Sequence, residues 1–185
     1  MKFILVFIAF FYFSKLNAQE DLGTVDVIGT SPLPGILIDR KDVPHTSQKI
    51  TEAQIQENLT KSITDLMNEN FSGISVKDIQ NGAFQKNVDY RGYTASPLLG
   101  ESQGISVYLD GVRINESFGD TVQWELVPEN AIKQIDLMSS NPAFGLNALG
   151  GSLALSTKKG LDFKNKEFVD TLNKYGSFNY TSELM

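Results

Sequence analysis

Cysteine is absent from all 185 residues, and histidine and tryptophan occur once each, as His45 and Trp124. Without thiols the chain has no disulfide, no thiolate nucleophile and no cysteine-ligated metal. A lone histidine beside Pro44 does not assemble a usual zinc site, and no Gly-x-Ser-x-Gly elbow surrounds any serine. A cationic excess is also missing: 16 Lys and Arg face 22 Asp and Glu, a formal charge of −6 that becomes −8 without Lys2 and Lys15. With no basic stripe to displace counterions from phosphates, nucleic acid is not an expected partner. Gly145 and Gly150 have the spacing of a phosphate loop, but Gly151 stands where that loop needs lysine. Asp110 and Asp120 are the remaining carboxylate pair, and Asp110 is accounted for by a turn. The expectation is therefore no enzyme, no metal site and no cofactor.

What is present begins with a leader. Lys2 supplies a positive start, Phe3 to Phe13 is an unbroken apolar run, and Leu16-Asn17-Ala18 offers a small residue for cleavage. The run is shorter than the roughly 20 residues that span a bilayer. Residues 1–18 therefore read as a secretory signal peptide, and with no cysteine after it the chain is not a lipoprotein.

Three zones follow. Residues 19–35 hold an alternating segment, Thr24-Val25-Asp26-Val27-Ile28, and then Ser31-Pro32-Leu33-Pro34-Gly35, whose two prolines favour an extended tether. Residues 36–160 carry the periodic segments of a packed α+β domain, and residues 161–185 turn polar. Thr51 with Gln54, and Ser62 with Asp65, are capping boxes that predict two short helices joined near Thr60. Ile74, Val76 and Ile79 predict a strand ending in a turn at Asn81-Gly82. Asp110-Gly111 between Val107-Tyr108-Leu109 and Val112-Arg113-Ile114 predicts a type I′ hairpin. Pro128 opens a short helical turn before a strand over Ile132 to Leu137. In the stretch Asn141 to Gly160, Gly145, Gly150 and Gly151 precede the apolar alternation Leu153-Ala154-Leu155. They mark a sharp bend or a close backbone approach. Four Asn-x-Ser/Thr triplets, starting at Asn58, Asn70, Asn115 and Asn179, match an acceptor pattern short enough to arise by chance.

Taken in order, Ser62-Ile63-Thr64-Asp65-Leu66, Gly73-Ile74-Ser75-Val76, Tyr90-Arg91-Gly92-Tyr93, Val107 to Arg113, Ile135-Asp136-Leu137 and Phe144 to Gly151 through Thr157-Lys158 resemble the plug domain of TonB-dependent outer-membrane receptors. The resemblance implies a small α+β domain with a mixed, mainly four-stranded sheet and short helices, lodged in a 22-stranded β-barrel whose pore it closes. It implies the cell outer membrane, energy-coupled uptake of a small-molecule or metal-chelate substrate such as a ferric siderophore, and the periplasmic domain of TonB as partner. Thr24, Val25, Asp26, Val27 and Ile28 then correspond to the TonB box. An extended tethered segment offers free backbone groups for strand addition to a partner sheet.

The same resemblance makes Arg91 the candidate for an ion pair between plug and barrel, and brings the loops around Tyr93 to Gly104 and Asn115 to Trp124 to the outward face. There Tyr93, Phe118 and Trp124 are the candidate ligand-facing aromatics. Asp110, Gly111, Gly145, Gly150 and Gly151 are structural turn residues. Two departures stand out. Ser139-Ser140-Asn141-Pro142 replaces the family's usual Arg-Gly-Pro turn, and 25 residues after Gly160 are too few for a barrel whose strands take about 10 residues each. Tyr175, Phe178 and Tyr180 suit the start of a first barrel strand, so the chain reads as the N-terminal portion of a receptor. The alternative is a free periplasmic binding or signalling module with a plug-like fold.

Overall fold

The computed structural model describes residues 27–29, 37–39, 46–79, 82–139, 145, 147–162, 171–175 and 180–184. The leader, Thr24 to Asp26, Pro32, Pro34, His45, Asn81, Asn141, Pro142, Phe144, Leu146 and Phe178 lie outside them.

Thr51 with Gln54 forms the predicted capping box, and Ser62 with Asp65 forms the N-cap half of the second. Gln54 Oε1 accepts the Thr51 N–H at 2.9 Å and starts helix α1, Glu52–Glu57. Ser62 Oγ accepts the Asp65 N–H at 3.2 Å and starts α2, Ile63–Asn70. Each box satisfies donors that a helix start leaves without an intrahelical partner. Ile55 from α1, and Ile63, Leu66 and Met67 from α2, are buried.

The strands are β1 (Val27–Gly29), β2 (Leu37–Asp39), β3 (Ser47–Ile50), β4 (Ile74–Ile79), β5 (Gly82–Tyr90), β6 (Tyr93–Ala95), β7 (Ile105–Leu109), β8 (Val112–Arg113), β9 (Ile132–Ser139), β10 (Gly151–Thr157), β11 (Thr171–Tyr175) and β12 (Tyr180–Leu184). The main sheet has the order β3-β9-β10-β7-β8; only the β10–β7 pairing is parallel. It is mixed as expected, with four full strands and a two-residue fifth. A second antiparallel sheet, β4-β5-β6, lies beside it in the fold and was not legible beforehand as a separate sheet.

Alternation along the strands sorts the two faces of the main sheet. Leu153 sits between Leu137 and Val107, and Leu155 opposite Ile135, so one face is apolar across β9, β10 and β7. That face joins Ile50, Ile55, Leu66, Met67, Phe71, Val88, Tyr90, Val122 and Trp124 in one core. Fully burying each such large aliphatic side chain contributes about 1.5–3 kcal/mol. The opposite face carries a smaller cluster of Tyr108, Met138 and Ala148.

Two further ribbons are two-stranded. β1 pairs antiparallel with β2, and β11 with β12 in a register that sets Tyr175 opposite Tyr180. Of the residues read as the start of a barrel strand, Tyr175 ends β11 and Tyr180 begins β12, and Phe178 lies outside the described residues.

Candidate functional site

Three groups of residues compose the candidate site: the segment at β1, the two loops after β6 and β8, and the glycine turns beneath them. Of the Thr24–Ile28 segment, Val27 and Ile28 fall in β1, in register with Asp39 and Ile38. Among the described residues β1 pairs with β2 alone, and a strand in a two-stranded ribbon keeps a second edge.

The glycines do what close backbone approach demands. A Cβ on Gly151 would lie 2.8 Å from the Met138 carbonyl oxygen and 3.2 Å from the Tyr90 ring. A Cβ on Gly150 or on Gly104 would strike Tyr93, at 2.6 and 2.4 Å respectively, and the Gly150 N–H donates to the Gly104 carbonyl at 2.9 Å. Tyr93 is therefore half-buried, its ring laid over two glycine backbones. Gly145 takes φ +82°, a bend that glycine adopts without strain. The turn Asp110-Gly111 has φ +49° and +84°, the type I′ signs.

The loops 96–104 and 115–121 are stitched to each other. The Val122 N–H donates to the Ser96 carbonyl at 3.0 Å, and Gln103 bonds Ser96 through both its N–H and its carbonyl and reaches the Leu98 carbonyl at 3.0 Å. Leu99 lies directly over Gly119, where a Cβ would come within 2.1 Å of its Cδ2. On this frame Phe118 is 78% and Leu99 61% exposed. Leu99 was missed from the sequence, where Leu98-Leu99 before Gly100 was the available signal.

Trp124 requires a correction. Expected on the outward face, it is 6% exposed and its indole N–H donates to the Ala95 carbonyl at 3.0 Å. Burial with its one polar atom satisfied makes it a core residue, because its 3-10 turn, Trp124–Leu126, points it inward under the loops.

Arg91 forms the β5–β6 turn with Gly92, at φ +56° and +84°. It is exposed, its guanidinium stands 5.0 Å from the centroid of the Tyr90 ring, and it joins no ion pair among the described residues. Ion pairs there are Lys61–Glu69, Lys86 with Asp65 and Asp78, Arg113–Asp120 and Lys133–Asp162. Burial alone would lower the Lys86 pKa, but its hydrogen bond to Asp78 and the charges of Asp65 and Asp78 outweigh that and raise it. The described residues contain no group of three or more His, Cys, Asp or Glu placed to hold a metal ion.

Comparison with known proteins gives one family. The pattern described as "TonB-dependent Receptor Plug Domain" matches residues 39–152. No curated protein matches by sequence. Among solved structures, the chain is similar to the pyoverdine outer membrane receptor FpvA from Pseudomonas aeruginosa PAO1 bound to pyoverdine, at 19% identity over 89% of this chain and 22% of that one, TM-score 0.56. It is similar also to the alcaligin outer membrane receptor FauA from Bordetella pertussis, at 15% identity over 80% of this chain and 23% of that one, TM-score 0.53. The FpvAI–pyocin S2 complex matches at 18% identity over 85% of this chain and 19% of that one, TM-score 0.56. These likenesses show the fold, and the chain spans about a fifth of the length of each.

Proposed function

The chain belongs to the TonB-dependent receptor plug-domain family, and from that premise we propose that it is the signal peptide, TonB box and plug of an outer-membrane receptor for energy-coupled uptake of a scarce nutrient. The family match over residues 39–152 carries this reading, since it runs from β3 to the start of β10 and includes both loops. The plug closes a barrel pore; residues 161–185 lead into that barrel. Ligand meets these loops at exposed Phe118 and Leu99 and at half-buried Tyr93. Arg91, exposed at a turn tip and bound to no carboxylate among the described residues, pairs with an acid of the barrel wall. Such a pair seats the plug while staying breakable. The substrate is a small molecule or a metal chelate, such as a ferric siderophore.

TonB engages the segment Thr24–Ile28 by adding a strand to the free edge at β1. Successive N–H groups of a strand point to opposite edges, so Val27→Pro and Ile28→Pro each delete a donor from a different edge. The test is affinity of the chain for the TonB periplasmic domain. Val27→Pro is expected to weaken binding at least about tenfold, a loss of some 1.4 kcal/mol. Unchanged affinity in both variants sinks strand addition, and no binding by the native chain favours a free periplasmic module instead.

A further inference from the structure

Asn115, which the sequence marked as part of a chance triplet and as the start of the loop to Trp124, uses its side chain where a strand would use its backbone. Strand β8 is two residues long, and the ladder with β7 continues one step further through the Ile114 N–H, which donates to the Val107 carbonyl at 2.9 Å. A continuing strand would next offer an acceptor to the Val107 N–H and a donor to the Ile105 carbonyl. The Asn115 side chain supplies both. Its Oδ1 accepts the Val107 N–H at 2.7 Å, and its Nδ2 donates to the Ile105 carbonyl at 3.0 Å. The second Nδ2 hydrogen reaches the Asp120 carbonyl at 3.3 Å, and Arg113 Nε donates to Oδ1 at 3.4 Å. Both donors and both acceptor positions of the amide are therefore used.

The side chain thus stands in for a peptide group, and the backbone is released to form the loop. That loop is closed at its base: the Glu116 N–H donates to the Thr121 carbonyl at 2.8 Å, and Thr121 Oγ1 donates to Glu116 Oε2 at 2.7 Å. Arg113 holds the Asp120 carboxylate beside it. Ser117, Phe118 and Gly119 are the exposed tip between these ties.

We propose that Asn115 is the positioning residue of the ligand-facing loop: by continuing the β7 ladder with its side-chain amide it sets where Phe118 stands. No other side chain meets both requirements. Aspartate keeps the acceptor and loses both donors, glutamine is one methylene too long for this register, and alanine leaves the Val107 N–H and Ile105 carbonyl without partners. The proposal rests on the reading of this face as ligand-facing, but its test uses no ligand, so the two fail separately.

The absence of native cysteine allows one reporter thiol, Ser117→Cys carrying a spin label, in the full chain. With Asn115 intact the label is expected to be restricted. Asn115→Ala should abolish that restriction while the near-ultraviolet dichroism of buried Trp124 persists. Asn115→Asp gives a readout that a general loss of packing does not. An acid there faces the Ile105 and Asp120 carbonyls and the Asp120 carboxylate on one side, the Val107 N–H and Arg113 Nε on the other, with Glu116 turned to Thr121. Only the protonated acid can donate to those carbonyls; the ionised acid can still accept from Val107 but cannot donate. Restriction should therefore return at acid pH and be lost as the introduced acid ionises, a transition absent when Asn115 is intact. A label equally restricted in all three chains at every pH overturns the proposal. So does an Asn115→Asp chain that stays mobile or unfolded at acid pH.

Discussion

The carboxylate of Asp110 closes on Thr157: Oδ1 accepts the Thr157 N–H at 2.9 Å and Oδ2 accepts its hydroxyl. One residue thereby makes the β7–β8 turn and ties it to the end of β10, whose Leu155 carbonyl accepts the Asp110 N–H at 2.9 Å. The two strands joined are the parallel pair at the centre of the main sheet.

Asp110→Asn retains a residue that tolerates φ +49° but loses the charge, and should cost about 1 kcal/mol. Asp110→Ala loses both hydrogen bonds and adds left-handed strain, and should cost roughly 2–4 kcal/mol. Urea unfolding separates the two; equal losses would show that the clasp contributes nothing.

Substitutions at three glycines should rank by what a Cβ meets. Gly151→Ala drives a methyl against the Met138 carbonyl and should destabilise by about 2–4 kcal/mol. Gly100→Ala, at φ +90° in open space, should cost only its backbone strain, roughly 1–2 kcal/mol. Gly160→Ala meets nothing and should stay within about 0.5 kcal/mol of the parent. Thermal midpoints in a different order contradict the close approach of β10 to Tyr90.

Lys86 makes stability sensitive to alkali. Its folded pKa is raised above the ordinary 10.5, so its contribution is fully present below that value and is lost as pH rises through the folded one. Stability measured across that alkaline range should fall more steeply in the parent than in Lys86→Met. Parallel profiles would show that the pairs with Asp65 and Asp78 contribute no pH dependence.

Phe118 and Trp124 should separate binding from folding. Phe118→Ser removes an exposed ring and should leave the unfolding midpoint within about 0.5 kcal/mol, while weakening uptake by the whole receptor. Trp124→Phe leaves the Ala95 carbonyl without its donor and should destabilise by roughly 1–3 kcal/mol. A Phe118→Ser receptor with unaltered transport would remove Phe118 from the ligand face.

Local chemistry was legible wherever neighbours in sequence are neighbours in space. Thr51 with Gln54, Ser62 with Asp65 and the Asp110-Gly111 turn each close within a few residues, so each could be read from spacing. Leu99 over Gly119 was not legible, because the contact joins loops twenty residues apart. Trp124 was misplaced for the same reason: an aromatic in a polar loop gives no sign of the carbonyl it will meet.

The sequence by itself determined the helix starts, the hairpin turn and the glycines that admit close backbones, since these depend on side-chain reach and φ preference over a few residues. Together with the order of its motifs, that was enough to point to the family. Only the tertiary structure decided that β10 lies between β7 and β9, that Trp124 is core while Phe118 is not, and that Asn115 completes a strand. Those outcomes come from pairings between distant segments, where burial and hydrogen-bond satisfaction act on the assembled sheet rather than on any local stretch of chain.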